Sequence, residues 1–168
     1  MAEKIQIDII SDVVCHWCII GYKYLEKANT ELGLEDRVDI EWKPFELNPD
    51  MPPEGQNLRE HIVEKYGSTP EQSEASRVRM TDLGTDPGFV CRFADDMRMH
   101  NTFNTHQLLH WADQQGRKHA LKQALFAAHF TDRRDLSDDN VLADVAADVG
   151  LDRSEALAVL ADQRYAAE

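Results

Sequence analysis

Two cysteines stand where an isoleucine-rich run gives way to a helical pattern, and that junction limits the fold more than any other feature of the chain. Residues 5–10, Ile-Gln-Ile-Asp-Ile-Ile, alternate as a strand does. A polar break at Ser11-Asp12 leads through Val13-Val14 to Cys15-His16-Trp17-Cys18. Beyond it Ile19, Ile20, Tyr24, Leu25 and Ala28 recur at helical spacing up to Leu32, with Gly33 as a stop. Residues 38–43 alternate again. Strand, helix and strand in this order predict a parallel pair joined by a right-handed crossover.

The character then changes. Residues 44–55 hold Pro44, Pro49, Pro52 and Pro53, which predicts a fixed, extended connector. Periodicity predicts helices over 58–66, 71–83, 102–115, 119–130, 138–149 and 154–165. Ser137 is the expected cap of the fifth, ahead of an acidic first turn, and Asp152 or Ser154 that of the sixth. Gly67, Gly84, Gly116 and Gly150 fall where helices should stop. Two parallel strands cannot bury both faces and both edges. The expectation is therefore a truncated chain showing only two parallel strands. The apolar edge carrying Ile5, Ile7, Ile9 and Ile10 should be covered by a second copy, a domain swap, separately lost residues or lattice contacts.

The chain of 168 residues fits one domain and can build a core without staples. Its net charge of −13 is dispersed, which gives a solvated acidic surface and argues against nucleic acid as a partner. No run approaches the roughly 18 apolar residues that span a bilayer, and the first residues lack the pattern of a secretory leader. A cytoplasmic location, with no membrane partner, is the expectation. Thiols are held reduced there, so three cysteines argue for chemistry or metal rather than for structure.

At a strand-to-helix junction Cys15 meets free N–H groups and the positive end of the helix dipole, which stabilise a thiolate. Cys18, one turn on, can close a disulfide with it. The expected chemistry is attack by Cys15 on a disulfide, followed by resolution by Cys18, or the reverse. His16 offers a cationic partner for the thiolate and Trp17 an apolar lip. Zinc remains an alternative, with Cys91 and a histidine completing the ligand set, as does a merely structural pair.

Further motifs carry a resemblance. Pro44-Phe-Glu-Leu-Asn-Pro49 after the second strand, Asn101-Thr-Phe-Asn-Thr-His106-Gln-Leu, and residues 121–130 followed by Leu136-Ser-Asp together resemble DsbA-like thiol–disulfide oxidoreductases of the FrnE-type branch. The resemblance covers nearly the whole chain. It implies an α/β thioredoxin-like fold with a large all-helical insertion: residues 1–53 as the β-α-β part of the core, 54–150 as the insertion, and 151–168 as a helix returning to a core that lacks its C-terminal strands and cis-proline loop. It implies Cys15 as nucleophile, Cys18 as resolving thiol, and His16, Trp17 and His106 as neighbours of the active site. The partners implied are thiol or disulfide substrates, protein or small molecule. No cofactor or metal is expected beyond the cysteine pair, with glutathione a candidate co-substrate. The alternative is a glutathione-using isomerase or transferase of the 2-hydroxychromene-2-carboxylate isomerase or kappa-class type. Those share the layout but typically carry serine at the place of Cys15.

Among the remaining residues, Cys91 reads as a buried, inert thiol or as a second redox partner. Asn101 reads as a helix cap and Trp42, Phe45 and Trp111 as core. Trp17 is placed either for packing or for substrate contact.

Overall fold

Strand β1 (Ile5–Ser11) pairs in parallel with β2 (Val38–Pro44), from Ile5 opposite Val38 to Ser11 opposite Pro44. The computed structural model describes residues 4–167. Helix α1 (His16–Leu32) forms the crossover and ends at Gly33, whose left-handed backbone lets its N–H reach Asn29 and Thr30. This is the β-α-β unit expected from the alternating runs.

The connector after β2 turns back on the molecule. Leu47 N–H donates to the Asp12 carboxylate, and Asn101 donates to the carbonyl of Met51, which is buried. A short antiparallel ladder, β3 (Gln56–Asn57) with β4 (Arg98–Met99), closes the base of the insertion. Gly55 is required beside it: its φ is 68° and a Cβ would strike the Met99 carbonyl.

The six helices predicted between residues 58 and 165 all form, as α2 (Leu58–Tyr66), α3 (Pro70–Thr85), α4 (Phe103–Gln114), α5 (Lys118–Phe130), α6 (Asp139–Asp148) and α7 (Arg153–Asp162). Asn57 caps α2 through Arg59 N–H and Glu60 N–H, and Thr69 with Gln72 makes a capping box ahead of Pro70. Asp152 caps α7 as expected. Asp138, not Ser137, caps α6, because the Ser137 hydroxyl and N–H are both engaged by Asp135. Gly84 does not end a helix. It lies inside α3, where a side chain would run into the Phe89 carbonyl.

Helices α4 to α7 pack pairwise, while α2 and α1 lie against α3. Leu108, Leu121, Leu125, Phe126, Leu142 and Val159 fill the bundle. Trp42 on β2 joins bundle to sheet, with its ring 6.0 Å from Phe126 and 5.1 Å from Tyr22. Trp42 and Trp111 are core residues, as expected, but Phe45 is 52% exposed. It follows Pro44 directly at the end of β2, where the chain has left the covered face of the sheet.

Among the described residues β1 has one strand neighbour, β2, and Ile5 and Ile10 are exposed. That matches the expected two parallel strands. No helix among those residues is long and apolar enough to cross a membrane. The architecture is a thioredoxin-like α/β fold with a helical insertion.

Candidate active site

Cys15 is the N-cap of α1, in extended conformation (φ −94°, ψ 109°). No side chain caps the helix there and no acidic residue occupies its first turn, so the positive end of the dipole is left to the sulfur. Both thiols of the motif are free and half-buried, but they face different surroundings. Cys15 lines a groove of about 320 Å³ between the motif and the α2–α3 pair, whose wall includes Leu58, Ile62, Tyr66, Met80 and Phe93. Cys18 is not on that wall and packs against the core. Trp17, 52% exposed, also lines the groove, so it forms the apolar lip rather than core.

Beneath the pair lie two buried charges of opposite sign. Asp12 is 1% exposed and accepts from Val13 N–H (2.7 Å), Leu47 N–H (2.7 Å) and the Thr102 hydroxyl (3.0 Å). One carboxylate thus ties the end of β1 to the connector and to the start of α4. Lys122, on α5 and 1% exposed, donates to the Ser11 carbonyl at 3.2 Å. Its amine stands 5.4 Å from the Trp42 ring and 5.2 Å from that of Phe126, over their negative faces. Burial pulls the Lys122 amine down to about 8, against the attraction of Asp12 and the two thiols.

The two thiols are coupled. A hydrogen bond between them, then the Ser11 hydroxyl and the Lys122 charge, eases the first ionisation of the pair, while burial and the charge then present hinder the second. The helix terminus lies on the Cys15 side of the pair, and Ser11 and Lys122 lie on its inner side.

One expectation changes. His16 is not a cationic partner for the thiolate. Its ring packs 4.7 Å from Phe93 and 4.1 Å from Phe130, and burial, helped by the nearby Arg77 charge, lowers it to about 3. It is neutral at physiological pH. His106 does not line the Cys15 groove. Its Nε2 stands 3.3 Å from Asp12, so it neighbours the motif through that carboxylate. Cys91 is buried beside Gly84, outside the groove, and burial raises its thiol to about 11, so it is poorly suited to exchange. Among the described residues no group of three or more histidine, cysteine or carboxylate side chains is placed to hold a metal ion.

Asp12, Lys122 and Arg77 were not singled out from the sequence. Lys122 had a visible signal: it sits between Leu121 and Leu125 on a helix whose apolar positions surround it, and it pairs with Phe126 at i+4 spacing.

Comparison with known proteins agrees with the fold. The family of the DSBA-like thioredoxin domain matches residues 6–168. The crystal structure of a probable DsbA oxidoreductase from Streptomyces coelicolor is similar with a TM-score of 0.89 and 34% identity, covering 96% of this chain and 70% of that one. The cytosolic disulfide reductase DsbM from Pseudomonas aeruginosa, solved with GSH, shares the fold with a TM-score of 0.52 and 20% identity, over 96% of this chain and 78% of that one. An uncharacterized Bacillus subtilis protein, YwbO, is 25% identical over 162 residues, 96% of this chain and 74% of its own length. With its profile matched from the first strand to the last helix, this chain belongs to the DSBA-like thioredoxin domain family of disulfide oxidoreductases.

Proposed function

We propose that the protein exchanges disulfides with thiol substrates, with Cys15 as the attacking sulfur and Cys18 as the resolving one. The observation that carries the reading is the asymmetry of the pair: Cys15 lines the groove and Cys18 lies behind it. As a disulfide approaches Cys15, the proton shared by the pair rests on Cys18, and the helix terminus holds the charge on Cys15. Cys15 Sγ attacks one substrate sulfur, and the other departs as a thiolate and takes up a proton. Cys18 then attacks Cys15 Sγ, releasing the second thiol. The substrate gains two electrons and the pair becomes a disulfide. Run backwards, the oxidised pair donates its disulfide to a dithiol.

Glutathione is our candidate co-substrate for resetting the pair. The glutathione-using isomerase or transferase reading would leave Cys18 without a task, so the adjacent thiols favour exchange over it. The test is insulin reduction, or oxidation of a dithiol peptide, by the protein and by Cys15→Ser. Loss of activity is expected in the variant, and activity that survives it would sink the assignment.

A further inference from the structure

The wall of the Cys15 groove has an unusual electrostatic composition for this chain. The net charge is −13, yet no aspartate or glutamate lines the groove, and Arg77 is its one charged residue among those described. The two histidines on the wall, His16 and His61, are both lowered by burial and are neutral at pH 7.

Arg77 itself is incompletely paired. It is 7% exposed, and its Nη2 is closed to water and has no hydrogen-bond partner. Its one ion pair among the described residues is a long contact, Nη1 to Asp95 at 3.8 Å, and Asp95 is held more closely by Arg59 at 2.7 Å. The guanidinium also stands 5.7 Å from the Phe93 ring, which in turn packs on His16, next in sequence to Cys15. A buried guanidinium donor left unpaired is costly, and a carboxylate is the group its fork of N–H donors fits.

We propose that Arg77 is a specificity residue that receives a carboxylate of the disulfide attacked by Cys15, so that the groove selects small carboxylate-bearing disulfides. This rests on the exchange reading above. The groove volume of about 320 Å³ is at the small-molecule end of binding sites. The apolar wall takes the hydrocarbon part of the ligand, and a turn of the loosely paired Arg77 side chain, which lines the groove, brings its enclosed Nη2 to the carboxylate. The bonds made and broken are those already given: the Cys15 sulfur joins one substrate sulfur and the second leaves as a thiol.

The test is single-turnover oxidation of the reduced protein by dithiodipropionate, by its dimethyl ester and by the cationic disulfide cystamine. Each rate is divided by the rate of the same disulfide with a free thiol. The protein should prefer the dicarboxylate over its ester, and both over cystamine, despite its own negative charge. In Arg77→Met the preference for the dicarboxylate should fall about 10- to 100-fold, the loss expected for a charge-assisted hydrogen bond. Arg77→Lys should recover part of it. If Arg77→Met does not fold, the wild-type preference and Arg77→Lys decide. A wild-type protein indifferent to esterification, or an Arg77→Met variant with undiminished preference, overturns the proposal while leaving exchange intact. No reaction of Cys15 with any of the three disulfides overturns the exchange reading itself.

Discussion

A lysine amine with one hydrogen bond and two aromatic rings around it is an expensive thing to bury. Lys122 is tolerated because its charge has partners beyond its hydrogen bond to Ser11: Asp12, Cys18 and Cys15 all act on it. The same attraction works in the other direction, and Lys122→Met should raise the first titration of the pair, which the hydrogen bonds from Cys15 and Ser11 also lower. Thiolate absorbance against pH reads this directly, and an unmoved midpoint would remove Lys122 from the account. Position 122 carries a signal, a lysine among the apolar positions of α5, but its partners could not be read from the sequence. Only the fold brings Ser11 against it. Asp12 was opaque altogether. It read as a polar break after a strand, and its three hydrogen bonds come from residues that the fold alone assembles. The cysteines, by contrast, were legible because their chemistry depends on local geometry, a strand end followed by a helix start.

The elements themselves were legible for a related reason. Caps, stops and apolar stripes are local signals, and Asp152 and Gly33 each supplied one that the structure uses, while Asn57 and Thr69 are caps that the sequence reading did not single out. The reading missed at Gly84, which lies in the last turn of α3 and is needed there because a Cβ would strike the Phe89 carbonyl. Helix α2 forms one wall of the Cys15 groove through Leu58 and Ile62, and its start depends on Asn57. Asn57→Ala should lower stability by about 1 kcal/mol, the usual loss for an N-cap. Chemical denaturation measures it, and an unchanged midpoint would mean that β3–β4 pairing alone fixes the start of the helix.

At the scale of the whole molecule, histidines packed among aromatic rings set a limit on acid tolerance. Burial lowers His16 to about 3 and holds His129 well below its ordinary value. In the unfolded chain both take up a proton as pH falls through about 6.5. The folded protein does not, so stability is full above that value and is lost progressively as pH falls from about 6.5 towards 3. Melting temperature against pH should therefore begin to fall before the carboxylates titrate, and His16→Phe should flatten that early slope. A stability profile level down to pH 5 would show that these rings are not held neutral. The β-α-β core, its helical insertion and the two-stranded sheet were all readable from periodicity and motif. The division of labour within the cysteine pair was expected from the strand-to-helix junction, whereas Asp12 and Lys122 behind the motif were not.

That division is the central claim, and trapping the mixed disulfide tests it most directly. Cys18→Ser and Cys15→Ser are each incubated, reduced, with a small disulfide under non-denaturing conditions, and the modified cysteine is mapped by mass spectrometry. The account predicts a stable adduct on Cys15 in Cys18→Ser and little or none on Cys18 in Cys15→Ser, since only Cys15 lines the groove. Rapid adduct formation on Cys18, with Cys15 left unmodified in the other variant, would contradict it.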